Sequence, residues 1–570
     1  MDNTLDRRTF LKAAGATTSF MIAEGASAFS YAQNSKVRVG CIGVGGQGTF
    51  HIREGLTHNP DIQIIALADV YKRNQDAAIN LVRLSNTKQY LPVEGKLTQE
   101  QIDAAMAMEA PKLSYDYCEV LANPDVDAVV ISTPPYTHYE ITMSALEAGK
   151  FIFCEKTLVR SIEEGRALIA KCHELKRWVQ VGHPCRYNPK YNLAQSMVYD
   201  QGKLGRITHI SAQWHRNTQW RRPVPRDYEL NEEEKKYITD LQRHFNWRLY
   251  EESSGGLYTE LATHQTDVAN WFLRAVPSRV CAHGGLDYWR DGRTVDDNIV
   301  IVYEYDMKPD SPGFIPIKPR TTATHPAGWR QPTGADLLAL PRPIQMDEDA
   351  ANMPYTVRFV YTSILSGEHL DRSEFIQGDR GSLKMTEDLC RFYQETHVRV
   401  EEGEERRVAK ARLSEERFRA DPSTASASAD DTRDCMVGNG PESAPIPDLR
   451  KSTLLRNCTD LRIPDAYQFQ AFTDCIANGG VPLNNQMVGF TAALTAIAAL
   501  ESRKTGRTVE IDPAWYRFDF EVPSFFGHDA KWSEKACDEN VCHCCGRRTD
   551  EFMDAVDCPG CGKKMPREDA

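Results

Sequence analysis

The sequence predicts an α/β protein of several parts: a parallel-sheet domain first, a second sheet-rich domain next, and a small cysteine-rich tail. Three observations carry this. Apolar runs without a polar face recur at Val37–Ile42, Ile62–Ala68, Val126–Ser132 and Phe151–Cys154, as expected of strands buried on both sides. Past Gly182 the pattern changes to alternation, at Ile207–Trp214, Asn298–Tyr305, Tyr355–Ser363 and Ser373–Met385. The length, 570 residues, exceeds one ordinary core and implies two or three domains.

The first strand runs into Gly43-x-Gly45-x-x-Gly48, with a helix expected through His51 and Ile52. Gly43, Gly45, Gly46 and Gly48 suit a tight turn, close approach of backbone to a pyrophosphate, and a helix packed tightly on its strand. The second strand ends in Asp69, about 20 residues on, where an acid meets the adenosine ribose. Strand, loop, helix and acid together predict a Rossmann dinucleotide-binding domain over 36–182. Asp69 would repel a 2′-phosphate, so NAD is expected; Arg73 leaves NADP as the alternative. Tyr71–Lys112 reads as a polar, helical insert without assigned chemistry. The third strand ends in Thr133-Pro134-Pro135-Tyr136-Thr137-His138, which puts Thr133, Pro134 and His138 at the strand ends where open α/β sheets bind ligands. After a helix over Tyr139–Gly149 the fourth strand ends in Glu155-Lys156-Thr157. Lysine at the end of a buried strand needs a task or a partner; a surface pair of Glu155 with Lys156 is the plainer alternative.

Taken in order, these segments resemble the Gfo/Idh/MocA oxidoreductases. The resemblance covers Val37 to Ile511 and rests on G-V-G-G-Q-G, S-T-P-P-Y-T-H, A-G-K-F-I-F-C-E-K-T, G-H-P-C-R-Y-N-P at Gly182–Pro189, G-K-L-G-R-I at Gly202–Ile207 and G-G-L-Y-T-E-L-A-T-H-Q-T-D at Gly255–Asp267. It implies that the lysine of an E-K-P motif, here Lys156, is catalytic, although Thr157 replaces the proline. It also implies a helix bearing an acid and a histidine, here Glu260 and His264, whose i, i+4 spacing puts both on one helix face. Glutamate stands where the family has aspartate. Asp267, one turn beyond His264, is expected to fix its tautomer and stand at the substrate site, with a solvent-facing position the alternative. The family's second domain, here 183–520, is α+β with a large open, mainly antiparallel sheet. Arg186, Tyr187, Trp214 and His215 are candidates to line the substrate site on it, with sheet packing the alternative for the aromatics. Met307–Met353 reads as a Pro-rich insertion and Glu401–Pro447 as a solvated one. Helical periodicity returns over Ala466–Ser502.

The ends carry separate signals. Residues 1–32 combine Asp6-Arg7-Arg8-Thr9-Phe10-Leu11-Lys12, close to a twin-arginine export signal, with a modestly apolar stretch too short to span a bilayer. The mature chain is therefore expected outside the cytoplasm, in the periplasm or its equivalent, with the twin-arginine machinery as a transient partner and no membrane span after cleavage. Six of the 16 cysteines lie between Cys537 and Cys561. Cys542-x-x-Cys545 and Cys558-x-x-Cys561 have the spacing of a structural zinc ribbon over 538–566, with disulfides as the rival reading. The net charge of −12 and the absence of a long basic run argue against nucleic acid as a partner.

The resulting expectation is an exported NAD(P)-dependent oxidoreductase acting on a sugar, polyol or related carbohydrate. Lys156 would be the base, His264 would share the proton relay and Glu260 would orient the substrate. No nicotinamide pool exists outside the cytoplasm, so a tightly held cofactor reset by the chemistry itself is expected. That chemistry is either coupled oxidation and reduction or redox-neutral glycoside cleavage or epimerisation. A non-catalytic carbohydrate-binding or assembly protein is the alternative of another class. The large sheet face suggests a homo-oligomer.

Overall fold

The computed structural model describes residues 36–86, 103, 107, 109–317, 352–369, 371–386, 390–394, 453–454 and 464–525. The export signal, most of both insertions and the cysteine tail lie outside these residues.

The first sheet has six parallel strands in the order β3-β2-β1-β4-β5-β6. They are β1 (Val37–Ile42), β2 (Ile62–Ala68), β3 (Lys112–Ser114), β4 (Ala128–Ile131), β5 (Phe151–Cys154) and β6 (Val179–Val181). This is the doubly wound dinucleotide-binding order, whose ligand crevice lies beyond the strand ends where the order reverses at β1 and β4. The apolar runs of β1, β4 and β5 are buried because helices cover both faces of the sheet. Two short strands were not foreseen: β3, at the end of the stretch read as an insert, and β6. At three residues each they are too short to show periodicity.

The second sheet is mixed and mainly antiparallel, nine-stranded, in the order β14-β13-β12-β11-β7-β10-β9-β8-β15. Its strands are β7 (Ile207–Trp214), β8 (Arg279–Gly285), β9 (Asn298–Met307), β10 (Tyr355–Ile364), β11 (Arg372–Gly378), β12 (Gly381–Thr386), β13 (Cys390–Gln394), β14 (Thr453–Leu454) and β15 (Val509–Glu510). Alternation decides its buried face: Ile299, Ile301, Tyr303 and Tyr305 of β9 are buried with Val357, Phe359 and Tyr361 of β10, while Val300 is exposed. Ser373–Met385, read as one strand, is a hairpin. It breaks at Asp379 and Arg380, where the Asp379 carboxylate takes the Arg206 N–H at 2.8 Å and turns the chain. All eight described cysteines are free thiols, five of them buried. No described helix is long and apolar enough to cross a membrane.

The chain returns to its first domain late. Helix Pro464–Asn478 packs on α1 (Gly46–Glu54), inserting Phe469 and Phe472 beside Phe153 of β5. The same contact buries a charged group. His51 of α1 is fully buried, with Nε2 2.6 Å from Glu155 Oε1 and Nδ1 3.3 Å from Asp465 Oδ1. Burial works against the imidazolium, but hydrogen bonding and attraction to Asp465 and Glu155 outweigh it and raise the group to about 9.

A raised folded-state histidine contributes stability that is full below its unfolded value near 6.5 and is lost as pH rises through the folded value. Chemical denaturation of the wild type should therefore lose about 3 kcal/mol between pH 6.5 and 9 from this group. His51→Gln should be less stable at pH 6.5 and lack this slope.

Candidate active site

The glycine loop is shaped by contacts that admit no side chain. Gly43 has φ +80°, and a Cβ there would lie 2.7 Å from the Thr133 backbone nitrogen; a Cβ on Gly48 would overlap the Gly43 carbonyl. The α1 N-terminus begins at Gly45 and Gly46 with no capping side chain and no acid in its first turn. Its free N–H groups and positive dipole end fit a dinucleotide pyrophosphate.

Asp69, at the end of β2, accepts the Val44 N–H at 2.8 Å and the Tyr71 N–H at 2.9 Å, and Asn74 Nδ2 lies 3.2 Å away. It thus braces the glycine loop. Burial pushes its carboxyl up to about 6, against the pull of the Tyr71 and Val44 N–H groups. Arg73 lies over the Tyr228 ring at 4.6 Å.

Thr133 and Pro134 follow the end of β4, and Thr133 lies beside Gly43. His138 does not reach the cleft: it is fully buried, with Nε2 2.8 Å from the Thr133 carbonyl and Nδ1 2.9 Å from the Thr157 carbonyl. Its work is to tie the β4 and β5 end loops together. Glu155 is likewise buried and faces inward, accepting from His51 and from the Lys156 N–H at 3.0 Å. The adjacent Gly182 has no room for a Cβ, which would lie 2.7 Å from the Glu155 carboxylate.

Lys156 emerges from this buried base. Its Nζ donates to the Glu260 carbonyl at 2.9 Å and lies 3.8 Å from Glu260 Oε2. Thr157, standing where the family motif has proline, donates from Oγ1 to the Thr259 carbonyl at 2.8 Å and so replaces a covalent constraint with a hydrogen bond.

These two bonds explain a departure from the expected helix. Glu260 and His264 do not share one: a short helix, Leu257–Glu260, ends at Leu261, and a second runs Ala262–Leu273. The carbonyls of Thr259 and Glu260 are engaged by side chains of the first domain, and His264 N donates to Leu261 O at 3.2 Å instead. Glu260 still meets Lys156, and His264 lies within reach of its charge. His264 is held well below the usual imidazole range, by burial first and then by the nearby charges of Lys156 and Arg372. Its ring lies 6.0 Å from that of His183 and 5.5 Å from Trp214, and its buried Nδ1 has no hydrogen-bond partner among the described residues.

Four expected site residues are engaged elsewhere. Asp267 does not orient His264; it forms a buried ion pair with Arg186, at 2.8 Å from Nη2 and 3.0 Å from Nε. Arg186 is fully buried against Trp271, so neither side chain is presented to a substrate. The Tyr187 hydroxyl accepts the Leu483 N–H in a small separate apolar cluster. His215 sits between the His369 carbonyl at 3.1 Å and Thr362 Oγ1 at 3.0 Å, pinning the end of β7. Conversely, the motifs omit Arg248, whose Nε is 3.5 Å from Glu260 Oε2, and Arg222, which stands over Gly46. Both come from the long connection between β7 and helix Leu257–Glu260, where no spacing rule applies; the run of arginines and aromatics there was the available signal. Among the described residues, no group of three His, Cys, Asp or Glu side chains is arranged to hold a metal. Cys542, Cys545, Cys558 and Cys561 lie outside them.

Two family models match in sequence order: "Oxidoreductase family, NAD-binding Rossmann fold" over residues 37–183 and "GFO/IDH/MocA C-terminal domain" over 193–308. Scyllo-inositol 2-dehydrogenase (NAD(+)) of Bacillus subtilis (strain 168) is 27% identical over 251 residues, 44% of this chain and 58% of that protein. A glycosyl hydrolase family 109 protein of Shewanella putrefaciens is 27% identical over 38% of this chain and 47% of its own length. The match thus spans about half the length of these curated relatives. The crystal structure of an oxidoreductase domain protein from Kribbella flavida shares the fold at 17% identity and a TM-score of 0.51, covering 84% of this chain and 100% of that one. Both modules of the Gfo/Idh/MocA oxidoreductases, the NAD-binding Rossmann domain and the C-terminal domain, are thus matched in order on the two sheets that carry them.

Proposed function

We propose that this chain is an exported NAD-dependent oxidoreductase that transfers hydride to the nicotinamide from a hydroxyl-bearing carbon of a sugar, polyol or related carbohydrate and keeps its cofactor tightly held. The observation that carries the reading is Lys156, set by the Glu155 and Thr157 anchors at the end of β5 and flanked by Glu260, with the half-buried His264 within reach of its charge. NAD+ bound there would supply the hydride acceptor. Lys156 Nζ would take the proton of the substrate hydroxyl. His264, kept neutral at pH 7 by burial and neighbouring cations, has an unpaired Nδ1 available to accept a proton or a substrate hydrogen bond. Glu260 balances Lys156 and Arg248 and would orient substrate hydroxyls. Carbohydrate specificity is supported by the name of the inositol dehydrogenase relative. The twin-arginine-like segment supports export, and the two C-x-x-C pairs support a structural zinc in the tail, in each case on sequence alone.

The glycosyl hydrolase relative favours a second reading, glycoside cleavage through transient oxidation with no net redox change. Steady NADH formation from scyllo-inositol or simple aldoses supports the first reading. Release of a nitrophenyl glycoside without NADH accumulation supports the second.

Protein purified without added cofactor should release close to one equivalent of NAD on acid treatment. Empty protein that binds NAD+ weakly and reversibly would contradict tight retention. Lys156→Ala should lower turnover by about 10²–10⁴-fold while leaving NAD+ affinity near wild type. Unchanged turnover would remove Lys156 from the chemistry and favour the binding-protein alternative.

Asp69 gives a pH signature. Its raised carboxyl stabilises the fold below the unfolded value near 3.9, and that contribution is lost as pH rises through about 6. The charged form, which accepts the ribose hydroxyls, therefore dominates only above about 6. NAD+ affinity should weaken as pH falls below 6. Asp69→Asn should bind more weakly at pH 7.5 and lose that pH dependence, as read by titration calorimetry.

A further inference from the structure

The connection from β7 to helix Leu257–Glu260 belongs to the second domain but lies on the first. It leaves the nine-stranded sheet at Trp214, crosses the ends of β1 and β2, and returns at Tyr250. Its root is clamped: Arg221 and Arg293 both pair with Asp291, and Arg293 also donates to the Gln219 carbonyl. The two limbs are tied by Asn246, whose Oδ1 accepts the Arg222 N–H at 2.7 Å and whose Nδ2 donates to the Arg222 carbonyl at 3.2 Å.

Its far end grips the residues that directly follow Asp69. Glu234, a buried carboxylate, accepts the Lys72 N–H at 2.8 Å and the Tyr228 hydroxyl at 2.5 Å. The Tyr71 ring meets those of Tyr228 at 4.9 Å and Phe245 at 5.2 Å. Because Asp69 ends the strand that marks the adenosine ribose, this grip closes the adenosine side of the crevice.

Between root and grip stands Arg222. A Cβ built on Gly46 would lie 3.2 Å from its Nη1 and 3.4 Å from its Nη2. The guanidinium therefore faces the first turn of α1, where the N–H groups and dipole end are themselves positive. Among the described residues it has no carboxylate partner, and Arg248 adds a like charge nearby. Two positive elements thus lie side by side, an arrangement that an anion bound to both turns from repulsive to attractive. A pyrophosphate on the glycine loop is that anion.

We propose that residues 215–250 form a strap that completes the dinucleotide site from the second domain, with Arg222 as a pyrophosphate ligand and Glu234 as the latch that slows cofactor exchange. The proposal rests on the NAD reading above and explains how a cofactor could be retained by a protein working away from any nicotinamide pool. Entry and exit of the dinucleotide then require the strap to lift from Tyr71 and Lys72.

The test uses the full-length protein loaded with radiolabelled NAD+ and chased with excess unlabelled NAD+, with release followed on spin columns. Arg222→Ala should release label about 10–100-fold faster, the effect of losing a charge-assisted hydrogen bond; Arg222→Lys should fall between. Arg222 is exposed, so its removal should leave the thermal midpoint of the cofactor-free protein unchanged. Glu234→Ala, which frees the latch, should speed both uptake and release, a pattern that loss of one ligand alone does not give. Release of label by Arg222→Ala at the wild-type rate overturns the ligand assignment, and unchanged rates in Glu234→Ala overturn the latch. If the wild type, first stripped of any co-purified dinucleotide, takes up no label, the NAD reading fails and the strap's role fails with it. Stoichiometric uptake with rates insensitive to either substitution leaves NAD binding intact and removes the strap alone.

Discussion

A buried carboxylate, Glu155, is the constraint from which the centre of this molecule is built. An ionised group inside a protein is tolerated only when its oxygens are fully paired. Glu155 meets that requirement with His51 on one oxygen and the Lys156 N–H on the other. Each partner draws in another element. His51 is carried by the helix that opens on the glycine loop, and it needs a second anion, which Asp465 supplies from more than 400 residues away in sequence. Gly182 must lack a side chain so that the carboxylate can sit against β6. The cofactor loop, the β5 end, β6 and a late helix are thus fixed relative to one another, and Lys156 is the next residue out from that fixed point.

Beyond Lys156 the electrostatics reverse. Lys156 and Arg248 gather around one carboxylate, Glu260, with His264 beside them. Burial keeps this histidine neutral, and the neighbouring cations add to the effect. The two histidines near the centre therefore do opposite things for the same physical reason. His51 lies between two anions and is a fixed cation; His264 lies among cations and is an available acceptor.

Much of this was legible in the sequence, and the remainder divides by range. Gly43 to Gly48, Asp69 and the strands β1, β2, β4 and β5 are local signals: each is a run or a short spacing with its own steric reason, and the two sheets stand where the change from apolar runs to alternation puts them. Lys156 and Thr133 lie at strand ends, which a strand assignment locates. What sequence spacing missed are side-chain pairings. Asp267 lies one turn from His264 along the chain, yet it pairs with Arg186, because a buried guanidinium 81 residues away offers it two hydrogen bonds and a neutral imidazole offers at most one. Glu260 and His264 have helical spacing, but Lys156 and Thr157 engage the carbonyls that a continuous helix would use. His138 sits in a family motif and looks available, yet both its nitrogens face backbone carbonyls. A motif identifies which residues matter; which atom each one meets is set by the competing partners the fold delivers.

The preference between the two nicotinamide dinucleotides follows from the same competition. Arg73 is the cation nearest the ribose acid in sequence, and a free guanidinium there would be a ready counter-ion for a 2′-phosphate. Its guanidinium instead lies on the Tyr228 ring, part of the grip that the second domain exerts beside Asp69. Asp69, for its part, is held in place by the Val44 and Tyr71 N–H groups, so it cannot swing aside to admit a second negative charge. A 2′-phosphate would meet a fixed carboxylate with its expected counter-ion already engaged, whereas two ribose hydroxyls would meet an acceptor. The contacts beside Asp69 would therefore also favour NAD over NADP, and on the proposed strap cofactor choice and cofactor retention would rest on one set of side chains.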